Sequence, residues 1–215
     1  MSASSNTTVS NVLADDSAPD ASNVCSGKKQ VKVATTFGQK VADFSYCMFE
    51  YAVEGLSPGN VTELQTHSPE ELLEDKTQKC LANIGPQSCP LIVEDTDFAF
   101  LKPDGTSTNY PGFDITRVVK NFSINKLASL NGDTRAAYRC SAMLAMPDGT
   151  KYYFTVTRNC TICEKRPGPG AIDPYAIPDG SEKAYSELSK EERSAFHPRA
   201  ELARLILAKL QELGY

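Results

Sequence analysis

The stretch "AYRCSAMLAMPDGTKYYFTVTRNC" limits what this chain can fold into more than any other. Two alternating, largely apolar runs flank Pro147-Asp148-Gly149. Proline and aspartate suit a type I turn, and glycine suits the left-handed residue that closes a three-residue hairpin loop. That turn sets a register of Met146 opposite Thr150, Leu144 opposite Tyr152, Ala142 opposite Phe154 and Cys140 opposite Val156. Each pair then shares a face, so turn chemistry and hydrophobic alternation agree. A second "KPDGT", from Lys102 to Thr106, reuses the turn, while its flanks do not repeat.

The rest of the central region alternates between helix and strand signals. "KKQVKVA" reads as a short strand. Phe37, Val41, Phe44, Met48 and Tyr51 recur at steps of four and three, which places them on one face of a helix. Thr35 or Thr36 suits its start and Gly55 its end. After a loop over 57–67, Ser68, Pro69 and Glu71 carry capping-box spacing at the head of a second helix, which Gly85 terminates. "LIVED" and "DFAFLK" are strand candidates. "GFDITRVVKNFSI" is either a strand or a short helix on Ile115, Val118 and Phe122. Residues 28–164 are therefore expected to form an α+β domain, with two helices on one face of a four- or five-stranded antiparallel sheet.

The flanks differ in composition. Residues 1–27 hold few large apolar groups and read as a disordered tail. Residues 165–181 are dense in proline and glycine and read as a linker or strap. Residues 182–215 form a helical appendage. Ser189 and Glu192 have capping-box spacing there, and a helix from Pro198 carries Leu202, Leu205, Ile206, Leu210 and Leu213 on one face.

Composition excludes several classes. The 215 residues carry a net charge of −5 without a basic stripe, so nucleic-acid binding has no electrostatic support. No apolar run approaches the roughly 18 to 20 residues that span a bilayer. The opening residues lack the basic start and apolar block of a signal peptide, so the chain is either intracellular or organellar, or an exported protein without its signal. Seven cysteines (Cys25, Cys47, Cys80, Cys89, Cys140, Cys160, Cys163) and four sequons (Asn6, Asn60, Asn121, Asn159) favour a secreted, cell-surface or lumenal location.

No motif names a reaction. Cys160 and Cys163 follow a strand, but the "EKRPGPG" after them cannot start the helix that a redox pair requires. Cys80 and Cys89 could complete a zinc shell with them, at spacing outside the usual range. Disulfides are the plainer expectation, Cys47 with Cys80 or Cys89 and Cys140 with Cys160 or Cys163, leaving one odd thiol. Cys25 could pin the tail. His67 and His197 are expected in solvent, as are the carboxylates Asp95 and Asp97. "RPGPG" lacks the backbone N–H groups of a phosphate cradle. No catalytic, metal or cofactor residue is expected.

The functional expectation is a non-catalytic, disulfide-stabilised secreted or lumenal binding protein. It would dock a protein partner through Leu202, Leu205, Ile206 and Leu210. One alternative is an accessory subunit of an intracellular or organellar complex. Another is a small ligand carrier or enzyme with a pocket lined by Tyr51, Tyr138 and Tyr152.

Overall fold

The computed structural model of the chain describes residues 6–12, 28–121 and 123–215. Its first elements are β1 (Asn6–Val12), β2 (Gln30–Ala34), α1 (Gly38–Cys47), β3 (Ala52–Leu56), α2 (Pro69–Ile84), β4 (Leu91–Leu101) and β5 (Ser107–Gly112). They are followed by α3 (Ile115–Asn121), α4 (Ile124–Asn131), β6 (Arg135–Ala145), β7 (Lys151–Ile162), β8 (Ala176–Pro178), α5 (Lys190–Phe196) and α6 (Pro198–Glu212). The eight strands among the described residues form one sheet in the order β1-β7-β6-β4-β2-β3, with β5 on β4 and β8 on β7.

The sheet is mixed, and this corrects the expected antiparallel sheet of four or five strands with two helices. β2 runs parallel to β3, with Gln30 opposite Ala52 and Ala34 opposite Leu56. It also runs parallel to β4, with Lys32 opposite Leu91. Parallel neighbours need a crossover, which α1 provides between β2 and β3 and α2 provides between β3 and β4. The physical reason for the correction lies in β4. "LIVED" and "DFAFLK" are one strand of 11 residues, nearly all of it buried. A strand covered on both faces reads as an apolar run and not as alternation, which is the signature of parallel interiors.

Turns and caps follow the sequence closely. Met146 N–H donates to Thr150 O at 2.8 Å and Gly149 N–H to Met146 O at 3.0 Å, closing the β6–β7 hairpin with Gly149 at φ +89°. The Ser141 and Thr155 hydroxyls meet at 2.8 Å, a cross-strand pair of the same register. "KPDGT" closes β4 onto antiparallel β5 in the same way, Lys102 N–H donating to Thr106 O at 2.8 Å. Ser68 caps α2 by accepting from Glu71 N–H, and Ser189 and Glu192 form the expected box at the head of α5. Ile115 begins a helix, not a strand, and Phe122 lies outside the described residues. The strap over 165–181 contributes a short strand, β8, antiparallel to the end of β7.

The chain divides into two compact units. One comprises residues 8–95, 141–155 and 202–215, and its core gathers Leu73, Cys80, Leu91, Val93, Met143 and Tyr153. The other comprises residues 1–7, 96–140 and 156–201. Phe98 packs edge-on against Phe100 and Tyr138 there, at centroid distances of 6.3 and 6.0 Å.

α1 ends at Cys47, and Gly55 stands inside β3 instead of stopping the helix. A Cβ added at Gly55 would lie 2.9 Å from Val41 Cγ2 of α1, so only glycine lets the helix approach the strand this closely. Gly55→Ala is therefore expected to cost about 1–3 kcal/mol by overpacking. Thermal unfolding should show Val41→Ala partly relieving that cost, whereas two additive losses would mean that the contact is not the constraint.

Candidate functional site

The unit containing residues 8–95 carries a group of charges where the sequence alone predicts solvent. Glu94 and Asp95 sit mid-strand in β4, and the Glu94 side chain is 1% exposed. A carboxylate so deep stays ionised only beside a cation. Lys40, in the first turns of α1, meets Glu94 Oε2 at 2.5 Å and also donates to the Glu94 carbonyl at 3.3 Å. Lys76 of α2 bridges Asp95 Oδ2 at 2.7 Å and Glu63 Oε1 at 2.9 Å. Burial alone would lower the Lys76 pKa, but the charge and hydrogen bond of Asp95, joined by those of Glu63, raise it well above the ordinary lysine value.

The loop bearing Glu63 is fixed to α2. Lys79 donates to Thr62 O at 2.8 Å, and Asn83 to Pro58 O at 3.0 Å. Thr66 bonds the Glu71 carboxylate at 2.8 Å. The result is three carboxylates and two ammonium groups held by helix, strand and tethered loop. In such an array the ammonium groups can pair with anionic oxygens and the carboxylates with a hard cation.

The second unit buries a different polar group. Asp173, in the turn before β8, accepts from Tyr138 Oη at 2.9 Å and from Arg193 Nη1 at 2.9 Å. Arg193 Nη1 also donates to Tyr185 O at 2.8 Å. His197 lies between the ends of α5 and α6, its ring edge-on to Tyr138 and Tyr185 at 5.3 and 5.1 Å. Its Nδ1 accepts from the Arg199 N–H at 3.1 Å, so the proton of the neutral ring sits on Nε2, 3.8 Å from Asp173 Oδ1. His197 thereby caps the first turn of α6 with a ring nitrogen. Arg199 Nη2 reaches Thr96 Oγ1 at 3.2 Å.

Burial depresses the His197 pKa, against the pull of Asp173. Burial would raise that of Asp173, but His197, Arg193 and Arg199 hold it well below the carboxylate range. Burial raises the Tyr138 and Tyr185 pKa values, so both phenols stay protonated.

Residues 31–209 match the Ham1 family. The chain belongs to that family. It is 33% identical over 129 residues to a dITP/XTP pyrophosphatase of Hyperthermus butylicus, covering 58% of this chain and 66% of that one, just under two thirds. It is 26% identical over 185 residues to a dITP/XTP pyrophosphatase of Gluconobacter oxydans, covering 80% and 86% of the two chains. The fold is similar to that of the Staphylococcus aureus Ham1 protein, with a TM-score of 0.66 at 24% identity over 86% of this chain and 99% of that one. A HAM1 protein from Coxiella burnetii gives a TM-score of 0.67 at 15% identity over the same shares.

Family membership overturns the expectation of a non-catalytic, disulfide-stabilised secreted or lumenal binding protein. The secreted, cell-surface or lumenal location falls with it, as do the accessory-subunit and ligand-carrier alternatives. No disulfide joins Cys47, Cys80, Cys89, Cys140, Cys160 and Cys163, and Cys25 lies outside the described residues. Burial, first among the causes, raises the Cys80, Cys89, Cys160 and Cys163 pKa values, and Cys80, Cys89, Cys140 and Cys160 pack as small apolar core residues. Asn60, Asn121 and Asn159 are exposed, and the Asn6 side chain is outside those described. Sequons at exposed positions are no mark of glycosylation without export.

The remaining candidates are distributed as follows. Leu202, Ile206 and Leu210 of α6 are fully buried and Leu205 is half-buried. Tyr51 donates to Tyr215 O at 2.6 Å, and Tyr152 lies under Lys209 Nζ at 4.8 Å from its centroid; Tyr138 belongs to the other unit. His67 is exposed, but His197 is 1% exposed, a correction to the expected solvation of both. Asp97 is buried too. No helix among the described residues is long and apolar enough to cross a membrane. Lys40, Lys76, Glu63 and Glu94 escaped the sequence reading. Part of that signal was present as two adjacent carboxylates after the apolar "LIV" of "LIVEDTDFAF".

His197 predicts a pH dependence with a definite sign. The folded state depresses its pKa below the unfolded value of about 6.5, so the unfolded chain binds the extra proton first as pH falls. Stability is then full above that value and declines from about pH 6.5 downward. Asp173, depressed as well, adds a second loss below about pH 3.9, as pH falls towards its folded value. Melting curves between pH 8 and 5 should show the first decline in the wild type. His197→Asn keeps a side-chain acceptor for Arg199 N–H and should flatten the profile, and an unchanged slope would exonerate His197.

Proposed function

We propose that the chain is a nucleoside-triphosphate pyrophosphatase acting on dITP- or XTP-type nucleotides, which it cleaves to the monophosphate and pyrophosphate. The observation that carries this reading is the Glu94–Asp95 pair, Glu94 buried and Asp95 half-buried, with Lys40 and Lys76 held against it, inside a Ham1 family chain. The dITP/XTP pyrophosphatase relatives of Hyperthermus butylicus and Gluconobacter oxydans support the substrate class.

The chemistry follows from charge. A triphosphate brings several negative charges, and two ammonium groups already fixed by helices can neutralise part of them without reorganising. In the nucleotide-free protein, the same lysines pair with these carboxylates. Phosphate oxygens draw Lys76 towards them, and Asp95 is the carboxylate that acts as base for the attacking water. Glu63 retains Lys76 on its other side and keeps it oriented.

A divalent cation fits this donor set. Glu94 and Asp95 offer hard carboxylate oxygens, and magnesium is commonly held by one or two carboxylates together with substrate phosphates. Glu94 would hold it together with substrate phosphates, which leaves Asp95 to the water. Its chemistry there would be neutralisation of phosphate charge.

Release of pyrophosphate from dITP, XTP, dATP and dGTP tests the reading. Turnover of dITP and XTP is expected to exceed that of dATP and dGTP. Asp95→Asn should reduce kcat about a hundredfold or more, as loss of a general base does. Lys76→Met should raise KM and lower kcat together. A wild-type chain that releases pyrophosphate from none of the four, or an Asp95→Asn variant with full turnover, would refute the assignment.

A further inference from the structure

The apolar stripe expected of α1 is buried at Phe44, Met48 and Tyr51, but Phe37, which opens it, is 67% exposed. Phe37 takes the capping position ahead of the helix without a side-chain cap bond, where Ser, Thr, Asp or Asn is favoured. The ring therefore supplies neither core packing nor a cap. Its backbone is nonetheless fixed. Phe37 N–H donates to Thr35 Oγ1 at 3.0 Å, and Lys40 N–H donates to Phe37 O at 3.0 Å. The second bond puts Phe37 and Lys40 in one turn, where side chains three apart stand about 5–6 Å from each other at Cβ. Lys40 is the ammonium group paired with Glu94, and all three residues belong to the unit containing residues 8–95.

We propose that Phe37 is the stacking platform for the purine base of the nucleotide whose phosphates Lys40 engages. This deepens the nucleotide reading, on which it rests for its ligand. Every base has a π-face, so an exposed ring adds affinity for nucleotides without choosing among the purines. With its backbone already held, the ring loses little freedom on stacking. Of the aromatic side chains exposed among the described residues, Phe37, Tyr46, Phe49 and Tyr110, Phe37 is the one in a turn that carries a charge of the site. Phe49 is exposed to the same 67% beyond the other end of α1, where Lys28 bonds its carbonyl at 2.7 Å. The two rings match in exposure and differ in distance along the helix from Lys40.

Two probes separate base from phosphate: the α,β-imido analogue of dITP, which resists cleavage, and inorganic tripolyphosphate, which has no base. Both are titrated calorimetrically into the full chain and into Phe37→Ser, Phe37→Leu and Phe49→Ser, with melting temperatures recorded in parallel. Phe37→Ser is expected to weaken the analogue about tenfold and to leave tripolyphosphate within about twofold, as loss of one base–aromatic stack does. Serine suits the capping position, so this variant should melt no lower than the wild type. Phe37→Leu keeps an apolar side chain without the π-face; it should weaken the analogue too, and it carries the test if the serine variant does not fold. Phe49→Ser should change neither affinity. Analogue binding that is unchanged in the Phe37 variants, weakened alike with tripolyphosphate, or weakened equally by Phe49→Ser would overturn the proposal. A wild type that binds neither probe would overturn it together with the nucleotide reading. Phe37-dependent binding without release of pyrophosphate from dITP or XTP would instead defeat the activity and keep the stacking site.

Discussion

Two adjacent carboxylates in a largely buried strand are the constraint around which one unit of this protein is built. Glu94 is almost wholly buried, and Asp95 follows it on β4. Removing such charges from water costs several kcal/mol each unless cations and hydrogen bonds replace the lost solvent. The replacement has to come from elements that reach β4, and two helices supply it. Lys40 enters from α1 and Lys76 from α2. The parallel crossovers of β2, β3 and β4 are therefore more than topology. They set both helices where a lysine side chain can end on a buried carboxylate.

A core that needed only stability would gain nothing from this arrangement. Apolar residues of similar volume commonly serve as well as a buried ion pair, or better. Charge is retained where it is used, and the tethering of the Glu63 loop to α2 points the same way. Lys79 and Asn83 hold that loop by its carbonyls, so the Glu63–Lys76 contact does not depend on a freely moving segment. The site is preorganised by backbone contacts and leaves its side-chain partners exchangeable.

What could be read from the sequence was what depends on neighbours along the chain. The turn at Pro147-Asp148-Gly149, the caps at Ser68 and Ser189 and the apolar face of α6 are decided within a few residues, and the structure has them. Strand direction is not decided locally. "KKQVKVA" and "LIVED" look the same whether paired parallel or antiparallel, and the hairpin biased both towards antiparallel. Asp95 was visible as a candidate, but acidic residues flanking a threonine between two presumed strands read as a loop. Joined into the single strand β4, Asp97 is buried and Asp95 half-buried. Cysteines and sequons misled for a related reason: their meaning depends on compartment, which four local tripeptides cannot report.

The second unit shows how a residue with an ordinary sequence context acquires a fixed protonation state. His197 precedes Pro198, a pair that reads as a break in the tail. The break is the point: proline begins α6 without a first-turn N–H to satisfy, and the next donor, Arg199 N–H, falls on His197 Nδ1. That bond excludes a proton from Nδ1, and burial among Tyr138 and Tyr185 disfavours a second one anywhere on the ring. Asp173 remains charged because His197, Arg193 and Arg199 together outweigh its burial. A helix start, a tautomer and a buried carboxylate are thus one coupled arrangement, and a single proton on Nδ1 would disturb all three.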